Sequence, residues 1–117
     1  IIYMEIFSKK SFEERIKEST AIKKKYPERY PIIVEKHKSC ELPTIDKCKY
    51  LVPKDMQFSQ FIFIIRKRIN LRPETAIFLT VNGNLITGST PINRVYEENV
   101  NKDGFLYVVY TSENTFG

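Results

Sequence analysis

Residues 48–72 have the sequence CKYLVPKDMQFSQFIFIIRKRINLR, and this stretch decides the fold class. A short apolar strand at 50–52 is stopped by Pro53 and followed at once by a helix. Apolar residues at positions i, i+3, i+4, i+7 and i+11 indicate one helical face: Phe58, Phe61, Ile62, Ile65 and Ile69. Phe63 and Ile64 fall outside this face or at its edge. Either the helix is covered on two sides, or part of its apolar surface is left open for a binding site; we expect the second.

Length and composition are typical of one globular domain. Of 117 residues, 42% are hydrophobic and 13% aromatic, which is too rich in large apolar side chains for a disordered chain. No apolar run approaches the roughly 20 residues that span a bilayer, so any membrane association is expected to be peripheral or acquired. Residues 1–4 are apolar but lack a basic leader, so we expect no secretory signal.

The chain carries a formal net charge of +5, which favours acidic partners, anionic lipid surfaces or nucleic acid without choosing among them. Cys40 and Cys48 lack the C-x-x-C spacing of a metal or redox site and are expected to be reduced thiols in a cytosolic protein. The single histidine, His37, stands between two lysines with no second ligand nearby in the sequence. Neither a metal site nor a Cys-His nucleophile is therefore expected.

Two helices are predicted ahead of the first strand. Residues 3–8 have the composition of a short helical turn. A longer helix begins after Ser11, whose spacing from Glu14 is that of a capping box. It runs to about Lys25, where three successive lysines suit the helix dipole, and the Tyr26-Pro27 step ends it.

Runs of β-branched and aromatic residues predict strands at 30–35, 48–52, 76–81, 85–87 and 105–110. Asn82-Gly83 suits a two-residue hairpin turn, and Thr90 followed by Pro91 predicts the N-cap and first residue of a short helix ending near Glu98. The last strand is almost unbroken in apolar character, so we expect it to be central with both faces covered. This order predicts an α+β fold and is compatible with either a ubiquitin-like β-grasp or a ferredoxin-like sandwich.

Four stretches resemble the autophagy ubiquitin-like modifiers of the GABARAP and light-chain-three family: KYPER at 25–29, PIIVEK at 31–36, KYLVP at 49–53 and QFIFIIRKRI at 60–69. The resemblance extends over nearly the whole chain without an evident gap, and it looks closer to the GABARAP branch through KKKYP at 23–27 and IRKRI at 65–69. It implies a ubiquitin-like β-grasp, a mixed sheet with a helix packed across it, preceded by two N-terminal helices. Residues 1–117 would form one domain, with a helical extension at 1–26, the β-grasp core at 27–111 and a flexible conjugation tail at 112–117.

The resemblance also implies a modifier of lipid instead of an enzyme, and no cofactor. In this family the C-terminal glycine is adenylated by an activating enzyme, carried as a thioester on a conjugating enzyme and joined to the amine of phosphatidylethanolamine. Gly117 would be that glycine, and Phe116 would be the aromatic residue recognised by processing and conjugating enzymes. Glycine suits a narrow active-site channel because it has no Cβ. Gly117 is either the encoded end, which needs no priming, or a truncation; a cysteine protease is expected to release the lipid form.

Family members bind aromatic-x-x-aliphatic motifs of autophagy receptors and adaptors as an added β-strand. The resemblance maps the aromatic pocket onto residues between the leading helices and the sheet: Glu18, Ile22, Pro31, Lys47, Lys49, Leu51 and Phe105. It maps the aliphatic pocket onto Tyr50, Val52, Pro53, Met56, Phe61 and Ile64, with Arg29 and Arg68 nearby for acidic flanking residues. Alternation along a strand places Lys49 and Leu51 on one side and Tyr50 and Val52 on the other. The expected location is the cytoplasm, and an autophagosomal or other organelle membrane after lipidation.

One departure from the family pattern stands at Cys48, which replaces the middle residue of a basic triplet. If exposed, this change would weaken selection of acidic motifs by up to about 1 kcal/mol, and the thiol would be open to modification. A nucleic-acid-binding sheet is disfavoured because the chain lacks the glycine-and-aromatic signature of RNA-recognition strands. No catalytic triad, carboxylate pair or phosphate loop is visible in the sequence, so an enzyme is not expected. The protein is expected to be a monomer in solution. The alternative of an unconjugated ubiquitin-like adaptor or scaffold, which only binds linear motifs in vesicle or organelle trafficking, stays open.

Overall fold

The computed structural model describes residues 10–112. Three helices are present in this range: α1 (Phe12–Lys25), α2 (Phe58–Arg68) and α3 (Ile92–Asn99). Five strands form one sheet: β1 (Arg29–Lys36), β2 (Lys49–Pro53), β3 (Phe78–Val81), β4 (Asn84–Leu85) and β5 (Leu106–Thr111). The predicted turn at 3–8 and the tail residues 113–117 lie outside the described residues.

The sheet is mixed, with the strand order β2-β1-β5-β3-β4. Its centre is a parallel pair in which Ile32 of β1 lies beside Leu106 of β5 and Lys36 lies beside Tyr110. β2 pairs antiparallel with β1, and β3 pairs antiparallel with β5. The central position predicted for the last strand is therefore confirmed, and it follows from an apolar sequence that needs cover on both faces.

One face of the sheet packs against α2 and α3. Phe58, Phe61 and Ile65 of α2 are completely buried, as the i, i+3, i+7 spacing predicts, and Ile92 and Val95 of α3 join the same core. The other face is covered by α1, whose Ile22 packs against Ile33 and Phe105. This arrangement is the ubiquitin-like β-grasp, and it excludes the ferredoxin-like alternative.

Helix α1 is anchored by a buried carboxylate in the turn before β5. Asp103 is 1% exposed and accepts hydrogen bonds from Arg15 Nε at 2.9 Å, the Tyr107 hydroxyl at 2.5 Å and the Phe105 amide at 2.9 Å. Its carbonyl oxygen accepts a 2.6 Å bond from the Ser19 hydroxyl. Because a buried charge is tolerated only when it is fully hydrogen-bonded, these contacts hold α1 at one position on the sheet.

Most element boundaries agree with the sequence to within two residues. Ser11 caps α1 through both bonds of a capping box. The N-cap of α3 is Pro91 and not Thr90, so that prediction was wrong by one residue. Pro91 stays extended because it forms a β-bridge with Gln57, and Ile92 donates its amide hydrogen bond to the Met56 carbonyl instead.

The strand predicted at 76–81 begins only at Phe78. Arg66 holds the preceding turn by donating hydrogen bonds to the carbonyls of Thr75, Arg72 and Pro73. The returning strand predicted at 85–87 is limited to Asn84–Leu85. The apolar pattern of the sequence did not predict that one arginine would hold this turn.

The contacts of Asp103 predict a large loss of stability for Asp103→Ala. Truncation leaves the Arg15 guanidinium and two buried donors without their acceptor, so the free energy of unfolding should fall by about 2–3 kcal/mol. Urea denaturation followed by circular dichroism measures it. The neighbouring exposed variant Lys102→Ala should change stability by no more than about 0.5 kcal/mol. Equal losses in the two variants would contradict an anchoring role.

Candidate functional site

The outer edge of β2 is the candidate site. β2 pairs only with β1 in the described sheet and therefore has one free edge. Val34 donates its amide hydrogen bond to the Cys48 carbonyl, and the alternation of antiparallel bonds then directs the backbone groups of Lys49 and Leu51 outward. Pro31 lies opposite Leu51, where its missing N–H costs no ladder bond. An exposed edge of this kind accepts an added strand.

The aromatic-pocket residues gather where α1 passes the edge of the sheet. The Glu18 carboxylate forms ion pairs with Lys10, at 2.7 Å, and with Lys49. Ile22 and Leu51 are half-buried, and Phe105 is completely buried beneath them. Burial would raise the pKa of Glu18, but the hydrogen bonds from Lys10 and Lys49 outweigh burial and lower that pKa below its ordinary value.

Lys47 stands apart from the other predicted aromatic-pocket residues. Its ammonium lies 5.5 Å from the centre of the Tyr50 ring, on which the aliphatic pocket was mapped. Residue 47 precedes the first residue of β2, so strand alternation does not determine the direction of its side chain. In this structure Lys47 therefore belongs with the second group of residues.

The aliphatic-pocket residues lie between β2 and α2. Tyr50 and Val52 are buried, and the Tyr50 ring meets Phe61 edge-on at 5.9 Å. Phe61 is completely buried in the core, so it contributes to the floor of this side and not to its surface. Ile64 is 38% exposed and provides the accessible apolar surface that the sequence predicted for this helix. Met56 and Pro53 are half-buried.

Two arginines stand on either side of this edge. Arg29 donates a 3.2 Å hydrogen bond to the carbonyl of Leu51, one of the outward-facing groups of β2. Arg68 binds Asp46 through two hydrogen bonds of 2.7 and 3.1 Å. An acidic peptide would therefore compete with Asp46 for Arg68 and with a backbone carbonyl for Arg29.

The Tyr50 hydroxyl is buried and has no hydrogen-bond partner among the described residues. Burial raises the pKa of Tyr50 to about 12, although the nearby Arg68 opposes the shift. At neutral pH the hydroxyl is therefore protonated and offers an unused donor beneath the aliphatic side of the edge.

Cys48 is completely buried, which overturns the expectation that depended on its exposure. Burial raises the pKa of its thiol, so the thiolate is disfavoured. Cys40 is also buried, and both cysteines are free thiols. Residue 48 faces inward because the strand that begins one residue later turns Lys49 toward α1.

Within residues 10–112, no three histidine, cysteine or acidic side chains are grouped to hold a metal ion. His37 instead accepts a hydrogen bond from the Ser39 amide at its Nδ1. None of the helices in this range is long and apolar enough to cross a membrane.

Comparison with known proteins identifies the family. Residues 14–117 match the family described as autophagy protein Atg8, ubiquitin-like. The chain belongs to the Atg8 family. It is 51% identical over 107 residues to autophagy-related protein 8 of Mycosarcoma maydis, covering 92% of this chain and 91% of that protein. It is 50% identical over 105 residues to autophagy-related protein 8b of Arabidopsis thaliana, covering 90% and 86%.

The crystal structure of Trypanosoma brucei ATG8 has the same fold. It superposes on this Atg8-family chain with a TM-score of 0.87 at 35% identity, covering 94% of this chain and 95% of that one. The autophagy-related, ubiquitin-like character predicted from the sequence is therefore confirmed. Sequence reasoning missed two ion-pair partners at the edge, Lys10 for Glu18 and Asp46 for Arg68, because neither spacing has a local signature.

The lowered pKa of Glu18 predicts a pH-dependent contribution to the stability of this Atg8-family chain. A carboxylate whose pKa is lowered in the folded state contributes its full stabilisation above its unfolded pKa of about 4.3. That contribution is lost as the pH falls through the pKa of the folded state. Glu18→Gln should therefore be less stable by roughly 0.5–1 kcal/mol near pH 6, and the gap should close as pH falls below the folded pKa of Glu18. Urea unfolding of both proteins across this range measures it. A gap that is independent of pH would contradict the ion-pair assignment.

Proposed function

We propose that this Atg8-family protein is a ubiquitin-like modifier that is conjugated through Gly117 to phosphatidylethanolamine and recruits autophagy receptors at the edge of β2. The observations that carry the proposal are the free edge of β2 in the described sheet and the residues Phe116 and Gly117, which lie within the stretch that matches the family. The protein acts in autophagosome formation as the group that is transferred, and the conjugating enzymes supply the catalysis.

The proposed conjugation proceeds in three steps. The Gly117 carboxylate attacks the α-phosphate of ATP, releases pyrophosphate and becomes an acyl adenylate. A cysteine thiol of the activating enzyme displaces AMP, and thioester exchange passes the acyl group to the conjugating enzyme. The amine of phosphatidylethanolamine then attacks the thioester carbonyl, forms an amide and releases the thiol. The two acyl chains of the lipid suffice for stable anchoring of a chain that has no apolar span in its described helices.

The partners proposed from this function are the activating and conjugating enzymes, a delipidating cysteine protease, and receptors or adaptors with aromatic-x-x-aliphatic motifs. The aromatic residue would enter the side lined by Glu18, Ile22 and Leu51. The aliphatic residue would enter between Tyr50 and Ile64, and main-chain bonds to β2 would supply affinity. The protein would reside in the cytoplasm and on autophagosomal or other organelle membranes after conjugation. The KKKYP and IRKRI segments favour the GABARAP branch of the family.

Conjugation predicts that Gly117→Ala abolishes lipid attachment. A methyl group on the Cα next to the reacting carboxyl carbon obstructs a channel shaped for glycine, so the modified C-terminal peptide should disappear from the membrane fraction of the host. Mass spectrometry of that peptide measures it, and Asn114→Ala is the matched tail control. If the wild-type peptide never carries phosphatidylethanolamine and Gly117→Ala leaves membrane association unchanged, the modifier function fails and the unconjugated scaffold is supported.

Motif binding predicts a loss of affinity when the accessible side chains of the edge are shortened. Leu51→Ala and Ile64→Ala should each weaken binding of a Trp-x-x-Leu peptide by about tenfold or more, because each removes one pocket wall. The double variant Tyr50→Ala, Leu51→Ala should abolish binding. Fluorescence anisotropy of a labelled peptide measures affinity, circular dichroism checks the fold, and Leu85→Ala is an exposed-leucine control on β4. Unchanged affinity in the two single variants would refute this site.

A further inference from the structure

Phe63 takes part in neither the core nor the motif-binding edge. It is 58% exposed, the highest value among the large apolar side chains of the described residues. It lies on the side of α2 opposite to Phe61 and Ile65, which are completely buried. The ring of Phe63 therefore adds exposed apolar surface that neither the core nor the edge uses.

Phe63 borders a surface cavity of about 490 Å³, whose lining residues we call the Phe63 patch: Phe63, Arg66, Lys67, Asn70, Leu71 and Pro73. The Lys67 ammonium lies 5.0 Å from the centre of the Phe63 ring. The hydrogen bonds from Arg66 to the carbonyls of Thr75, Arg72 and Pro73 fix the turn that forms the other wall. The patch is therefore preformed.

The Phe63 patch lies at the end of the sheet from which the tail departs. Thr111, the last residue of β5, is paired with Phe78, the first residue of β3. The turn that contains Leu71 and Pro73 leads directly into Phe78. A lipid attached to the tail at Gly117 would therefore bring the bilayer toward this end of the molecule.

The charge around the patch is positive. Arg66 and Lys67 line it, and the neighbouring Arg72 side chain is 84% exposed. The nearest acidic side chain in the turn, Glu74, already faces Arg72 at 3.9 Å. An exposed aromatic ring surrounded by cations is the composition that binds the interface of a membrane containing acidic phospholipids.

We propose that the Phe63 patch is the surface through which the conjugated protein lies against an anionic phospholipid bilayer. The Phe63 ring enters the headgroup region, and Lys67 leaves the ring to pair with lipid phosphates. This orientation rests on the proposed conjugation at Gly117. It leaves the Phe63 side of α2 on the membrane and the β2 edge accessible to receptors.

A defined tether tests the proposal without the conjugating enzymes. Gly117→Cys in the full chain provides an accessible thiol, since Cys40 and Cys48 are buried, and couples to a maleimide-bearing phospholipid in vesicles. The chain contains no tryptophan, so Phe63→Trp introduces a unique fluorophore. On vesicles containing phosphatidylserine, emission of this tryptophan should shift to shorter wavelength and be quenched by brominated lipid.

Tyr26→Trp is the matched control. Tyr26 is 38% exposed and carries a lysine ammonium 5.4 Å from its ring, so its surroundings are similar. It precedes β1, and because β1 and β5 run parallel it lies at the opposite end of the sheet from Thr111. Its tryptophan should stay unquenched. Lys67→Gln should lower the equilibrium constant for contact between the Phe63 patch and the bilayer about fivefold. Lys24→Gln, with the same change of charge, should leave that constant unchanged.

Three results would overturn the proposal. The first is equal quenching of the tryptophans at 63 and 26. The second is quenching that does not depend on phosphatidylserine. The third is a shift in the emission of the Phe63→Trp variant, free in solution, when residues 113–117 are removed. That shift would mean that the tail, and not a bilayer, occupies the cavity. Because the tether replaces the enzymes, a failure of lipid conjugation in cells would leave this measurement intact and is recognised separately by mass spectrometry.

Discussion

The parallel pairing of β1 with β5 is the constraint on which the rest of the structure depends. It places the last strand of the chain between β1 and β3, where both of its faces require cover. Helices α2 and α3 cover one face, and α1 covers the other. β5 occupies one side of β1 and β2 the other, and β2 stands at the end of the strand order with no second neighbour in the described sheet. The free edge proposed to bind receptors is thus a consequence of how the core closes.

The position of α1 determines which charged and apolar side chains surround the free edge of β2. Asp103 fixes the helix through Arg15 and Ser19, far from β2 in sequence. With α1 held there, Glu18 meets Lys49 and Ile22 lies over Phe105. A motif-binding strand would therefore meet a charged rim and an apolar pocket on the same side. The stability of α1 and the chemistry of the edge are coupled through this one anchored carboxylate.

Helix α2 presents three different surfaces to three environments. Phe58, Phe61 and Ile65 fill the core, and Ile64 borders the β2 edge. Phe63 faces away from both. A single amphipathic stripe would have satisfied the fold alone, so the additional apolar residues indicate additional contacts. In the proposed orientation one helix supports the sheet, contributes to receptor binding and touches the membrane.

Local patterns were enough to determine much of this protein. The capping box at Ser11, the apolar stripe of α2 and the continuous apolar run of β5 each predicted the correct element, because each depends on neighbours within a few residues. Resemblance to a family decided between two folds that the pattern had left open. It also supplied most residues that the structure brings together at the β2 edge.

Only the tertiary structure decided the burial of Cys48, the anchoring of the 70–75 turn by Arg66 and the ion pair of Arg68 with Asp46. These features depend on contacts between separate elements, and the spacing of apolar residues along the sequence does not predict which elements come into contact. The exposure of Phe63 was likewise visible only after packing, since the same composition would suit a helix covered on two sides. The sequence by itself determined the elements and the central strand. Packing across the two faces of the sheet decided which side chains were left to face a partner.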